Sequence, residues 1–495
     1  MATILQTRSL GEVRAKTHDG VSQFLGIQYA TLKDRFADAE LIEQREGGIL
    51  DASKDGPTAL SPLFGCDFEL GHIQHILPKK ELPQSDLKCL NLNITVPAGT
   101  TAASKLPVFL FIHGGGLVLG ANSWPQFDYA RFVRLSVEKN FPIVAVSMNY
   151  RLGAFGFLTS NELRRAGYNA NNGLRDQKVA MRWVQKHIAD FGGDPDNVTL
   201  AGMSAGGACV TYHLDSDEQL FKRAIVMSGT CLLIQPLPYE LHEQNYQQAI
   251  AALGLTNASS EERIRALLET PGDDLVAKIP PTVLAVPAID GTMVTSPVTY
   301  AQVADKNSDF PRGKKWCEDL MIGDAQMDIL DKYNITREMT DDEAFPAILN
   351  YVNDIAFFAP VLTFAKGWKN NVYVYHFNEG NPWDGPWKGR ASHILDLAYL
   401  FQNFREFMAP DQQQLAITFA EDLFKFCHGV KPWPSVAHDD VEAGFTARVY
   451  GPAPNAAQVN GPYYEGSLRR SVLFDHTDQA SLDEFAQVLA LFRTL

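Results

Sequence analysis

The chain has 495 residues, 45% hydrophobic and 20% charged, a composition that fits a folded globular protein with a large core and excludes a disordered one. Its formal charge of −15 at pH 7 argues against nucleic acid or an anionic membrane as a main partner, because both attract clustered Lys and Arg. No run of about eighteen apolar residues occurs, so no membrane span is expected.

Taken in chain order, apolar and β-branched runs predict strands at 107–112, 142–148, 198–203, 223–227, 319–322 and 371–377. Several are almost continuously hydrophobic, the pattern of strands covered on both faces by helices. From Gln177 to Phe191 the residues Ala180, Trp183, Val184, Ile188 and Phe191 repeat every 3.6 positions and predict an amphipathic helix. Gly192 to Asn197 then ends that helix and starts the next strand. Such alternation favours an α/β fold with a mostly parallel, doubly wound sheet. The stretches 230–318 and 378–470 are richer in helical pattern and are expected to cap the sheet; Ser481 to Leu495 reads as an amphipathic helix. With no internal repeat, low-complexity tract or long linker, residues 1–495 read as one domain.

The chemistry starts at Val198-Thr-Leu-Ala-Gly-Met-Ser-Ala-Gly-Gly207, a strand running through Gly202-x-Ser204-x-Gly206 into a helix. This is the pattern of a nucleophile elbow, a strained turn that exposes a serine hydroxyl and tolerates only small neighbours two residues away. About ninety residues upstream, His113-Gly-Gly-Gly116 follows the strand ending at Ile112. Its glycines let backbone N–H groups approach a substrate carbonyl, so Gly115 and Gly116, with the amide of Ala205, are the expected oxyanion hole.

These motifs resemble the type-B carboxylesterase and cholinesterase family of α/β-hydrolases. The resemblance extends over Phe24-Leu-Gly-Ile-Gln-Tyr-Ala30, Arg35-Phe36, Cys89-Leu-Asn-Leu-Asn-Ile94, Asn149-Tyr-Arg-Leu-Gly-Ala-Phe-Gly-Phe-Leu158, Asn172-Gly-Leu-Arg-Asp-Gln177 and Phe191-Gly-Gly-Asp-Pro195. It implies an α/β-hydrolase fold with helical insertions and a serine carboxylic ester hydrolase acting on a small-molecule ester. It also implies the order Ser, acid, His. In Gly323-Asp-Ala-Gln-Met-Asp328 the acid position falls on Asp328, with Asp324 and Asp331 as nearby rivals. In Ser392-His-Ile-Leu-Asp-Leu-Ala-Tyr-Leu-Phe401 the base falls on His393, whereas His376, inside a predicted strand, reads as a core residue. Ser228, in Met227-Ser-Gly229, matches a supporting serine near the acid and equally fits a strand end.

Relatives usually carry Glu directly before the nucleophile, and this chain has Met203. Together with a Cys66–Cys89 loop that lacks Trp, that substitution argues against cationic, choline-type substrates and for neutral acyl esters. The same two cysteines match a pair that is bridged in secreted relatives. Here no basic leader with an apolar stretch is visible, so the chain reads as cytoplasmic with free thiols, and the sequons at Asn93, Asn197, Asn257 and Asn334 read as coincidental. No Cys-x-x-Cys pair occurs, and neither a metal nor an organic cofactor is expected. Two alternatives use the same residues or the same fold: acyl transfer or lactone chemistry on the same triad, and a non-catalytic interaction protein.

Overall fold

The computed structural model describes residues 3–325, 348, 350–436, 445–461 and 481–492. Its strands are β1 (Thr3–Gln6), β2 (Glu12–His18), β3 (Val21–Gln28), β4 (Ala30–Thr31), β5 (Glu40–Leu41), β6 (Leu50–Ala52), β7 (Asn91–Pro97) and β8 (Leu106–Ile112). Then come β9 (Val144–Met148), β10 (Gly193–Met203), β11 (Arg223–Met227), β12 (Asp319–Ala325), β13 (Asn371–Phe377), β14 (Thr446–Tyr450) and β15 (Ala456–Asn460). One large sheet runs in the order β1-β2-β3-β7-β9-β8-β10-β11-β12-β13-β14-β15, with β6 beside β2, and β4 pairs with β5 separately. From β9 to β14 all neighbours are parallel, while the strands at both edges are antiparallel. This is the α/β-hydrolase architecture expected from the sequence.

Side-chain alternation divides the core. On β8, Val108, Leu110 and Ile112 pack on one face of the sheet, and Phe109 and Phe111 on the other. Helices Asn172–His187, Ala205–His213 and Ala359–Gly367 cover the first face with Trp183, Val184, Cys209, Val361 and Phe364. Helices Ala130–Glu138, Leu395–Leu400 and Pro410–Cys427 cover the second with Phe132, Leu395, Phe419 and Leu423.

Two elements differ from the sequence expectation for physical reasons. The helix predicted from Gln177 begins at Asn172, and Asn172 and Asp176, ahead of the predicted start, are buried although polar, so apolar periodicity does not register them. Asp176 is buried because Arg151 grips both its oxygens, at 2.7 and 2.8 Å, and also donates to the carbonyls of Arg35 and Ala37. Loss of either partner would strand the other charge at a cost of about 3–5 kcal/mol. In the stretch 378–470, read as helical cap, β14 and β15 extend the sheet; β14 joins β13 in parallel and its burial comes from that pairing.

Because β8, β10, β11, β12 and β13 are parallel, their carboxyl ends at Ile112, Met203, Met227, Ala325 and Phe377 lie along one edge. In open α/β sheets ligands bind at this edge. Among the described residues, no helix is long and apolar enough to cross a membrane.

Candidate active site

Ser204 stands between β10 and helix Ala205–His213 with φ 54° and ψ −122°, a backbone state that L residues rarely adopt. Its amide donates to the Met227 carbonyl at 2.8 Å, fixing the turn to β11. From Val198 to Asp215 every residue is buried except Ser204. The elbow depends on Gly206, where a Cβ would come within 2.1 Å of the Ile112 carbonyl oxygen. The helix N-terminus therefore sits directly on the end of β8.

That contact brings the glycine loop to the serine. A Cβ on Gly114 would lie 3.1 Å from Ser204 Cβ and 3.2 Å from Met203 Cε, so the loop crosses over both residues. Gly115 has φ +94°, and a Cβ there would strike the Leu119 carbonyl at 2.1 Å. Among the described residues, the amides of Gly115, Gly116 and Ala205 donate to no protein acceptor. The Ala205 amide is free because the first N–H groups of a helix have no partner within it. His113 holds the loop from beneath: its Nδ1–H donates to the Gly114 carbonyl at 3.0 Å and its ring stacks on Tyr150 at 4.6 Å. Burial lowers the His113 pKa to about 4, so it is a neutral support.

On the far side of the elbow, Ser228 directly follows β11, and its hydroxyl accepts from the Ala325 amide at 3.1 Å. Ser228 is thus a strand-end residue whose hydroxyl ties the end of β12 to the end of β11. Asp328 itself lies outside the described residues, as does the rival Asp331. The other rival, Asp324, is fully buried and its Oδ1 meets His376 Nδ1 at 2.8 Å across adjacent strands, so these two residues form a core pair. His393 is half-buried on the loop between β13 and helix Leu395–Leu400, its ring 5.2 Å from that of Phe357. Ser204 and His393 make no hydrogen bond to each other.

The model of the carboxylesterase family matches residues 2–328, about two thirds of the chain, Ser204 and the glycine loop included. The chain belongs to the carboxylesterase family. It is 30% identical over 452 residues to lipase 3 of Yarrowia lipolytica, covering 83% of this chain and 86% of that protein. With the para-nitrobenzyl esterase of Bacillus subtilis the identity is 27% over 501 residues, covering 95% of this chain and 94% of the other. Among solved structures a thermophilic PNB esterase superposes with a TM-score of 0.75 at 23% identity, over 94% of this chain and 99% of its own, a likeness of fold. This carboxylesterase is a carboxylic ester hydrolase with small-molecule ester substrates.

Around its carboxyl edge the carboxylesterase buries two acids that sequence reading did not single out. Glu69, on helix Gly65–Ile73, accepts from Gln126 Nε2 at 2.9 Å, and burial pushes its pKa up to about 7. Asp396, three residues after His393, is likewise raised to about 7 by burial. Their signal in the sequence was a lone acid flanked by Phe68 and Leu70, or by Leu395 and Leu397. Met203 is buried beneath the glycine loop. All six cysteines are free and buried, and Cys66 and Cys89 pack in separate clusters on opposite faces of the sheet.

Proposed function

We propose that this carboxylesterase hydrolyses neutral acyl esters through an acyl-enzyme on Ser204, with His393 as general base and Asp328 as the acid that orients it. The observation that carries the reading is the strained Ser204 beside three uncommitted amides, those of Gly115, Gly116 and Ala205. His393 takes the serine proton as Oγ attacks the ester carbonyl, the amides receive the developing oxyanion, and the alcohol leaves with the proton from His393. Water activated by His393 then releases the acid and restores Ser204. Ser228 holds the end of β12, three residues before Asp328 in the chain.

Neutrality of the substrate is supported by the edge itself. Met203 supplies no charge, and the buried Glu69 and Asp396 are raised to about 7, so both are substantially protonated near neutral pH and offer a cation little attraction. A panel of p-nitrophenyl esters of graded acyl length beside choline esters tests this. We expect kcat/KM for the neutral esters to exceed that for choline esters of the same acyl group by at least about tenfold, and a preference for choline esters would overturn the reading.

The pH profile follows from His393. Burial lowers its pKa from 6.5 to about 4, with the nearby His72 adding a smaller push in the same direction. A base works only when unprotonated, and His72→Asn, which removes a side chain that pushes the His393 pKa down, should move the acid limb of kcat/KM upward. A limb that stays in place in His72→Asn would contradict His393 as the base.

A further inference from the structure

The loop that delivers His393 is fastened to a helix more than 300 residues earlier in the chain. Helix Gly65–Ile73 ends at Gln74 in a left-handed turn with φ 65°. The Gln74 amide reaches into the loop, where Nε2 donates to the Trp383 carbonyl at 3.1 Å and Oε1 accepts from the Trp387 amide at 2.6 Å. Gly385 faces this side chain so closely that a Cβ would lie 2.2 Å from Gln74 Oε1. Asn381 completes the junction from the other side. It is 1% exposed; its Nδ2 donates to the Ile73 carbonyl at 3.0 Å and to Ser392 Oγ at 3.3 Å, and its Oδ1 accepts from the Trp383 amide at 3.0 Å. Ser392 directly precedes His393, so one carboxamide joins the helix end to the neighbour of the base. Backbone bonds from Asn381 N to Arg390 O and from Gly389 N to Asn381 O, both 2.8 Å, close the loop on itself. His75 packs on Trp383 with ring centres 5.1 Å apart.

We propose that Gln74 and Asn381 are positioning residues that clamp the 378–392 loop to the end of helix Gly65–Ile73 and thereby set where His393 stands. This rests on His393 being the base. The physical basis is that the long segment between β13 and helix Leu395–Leu400 is held by two carboxamides, the buried Asn381 and the half-buried Gln74, whose hydrogen bonds fix its course up to the residue before His393. A base displaced by about 1 Å loses on the order of a hundredfold in rate with little change in ground-state binding.

The test is Asn381→Ala, with Gln74→Ala as a second variant at a half-buried position, each assayed with p-nitrophenyl acetate in the native and the His393→Ala backgrounds. Each variant is expected to lower kcat by about 10- to 100-fold with KM within about threefold. In the His393→Ala background the same substitutions should have no further effect on kcat, because they act through the base. Equal losses in both backgrounds would assign the clamp to general folding and overturn the proposal, as would an unchanged kcat in Gln74→Ala and Asn381→Ala. Should Asn381→Ala fail to fold, the Gln74→Ala pair decides by the same two criteria. A His393→Ala enzyme with full turnover would instead remove the base assignment itself.

Discussion

Ser204→Ala is expected to lower turnover of p-nitrophenyl butyrate by at least about a thousandfold while the protein keeps its fold. The first half follows from the mechanism, since without Oγ there is no acyl-enzyme, and only binding and the oxyanion donors remain to assist direct attack by water. The second half follows from the elbow. Among the described residues the Ser204 hydroxyl makes no hydrogen bond, so its removal leaves no buried group without a partner. The strained backbone is held by the Ser204 amide on the Met227 carbonyl and by Gly206 against β8, and both survive the change. Thermal unfolding should therefore move little. Steady-state hydrolysis and a melting curve on the same preparation read both halves. Turnover within about tenfold of the unaltered enzyme would remove Ser204 from the mechanism.

Asp328→Asn should cost about 10³- to 10⁴-fold in kcat, because the amide holds the imidazole in the wrong tautomer and cannot stabilise its charged form. Asp324→Asn is expected to behave differently. Its carboxylate meets His376 at 2.8 Å, both residues are buried, and the pair bridges β12 and β13 in register. An asparagine there keeps an acceptor but loses the charge, so the expected effect is a stability loss of about 1–3 kcal/mol with kcat within about tenfold. Kinetics and denaturant unfolding of the two variants side by side separate the roles. Collapse of kcat in Asp324→Asn with Asp328→Asn near normal would transfer the acid to Asp324 and displace His376 from the core reading.

The two variants also show where sequence reading reaches its limit. Asp324 and Asp328 occupy one short segment and look alike as residues. What distinguishes Asp324 is a histidine 52 residues away, opposite it only because β12 and β13 align at that register. Likewise the start of helix Asn172–His187 was hidden by polar residues, Asp176 buried against Arg151 and Asn172 against the Phe36 carbonyl. The clamp at Gln74 and Asn381 has no pattern at all in the sequence, since two common carboxamides acquire a role only through the carbonyls that folding places around them.

By itself the sequence determined the central strands from β8 to β13, the elbow at Ser204, the glycine loop and the carboxylesterase family. These are local: a strand needs a run of apolar residues, and a strained turn needs small neighbours at fixed spacing, so contiguous residues carry the information. The tertiary structure alone decided the pairing of Asp324 with His376, the burial of Glu69 and Asp396, the edge strands β14 and β15, and the attachment of the His393 loop to helix Gly65–Ile73. Each of these depends on which distant groups share a small volume from which water is excluded. Register and burial set that, and neither is a property of any one segment.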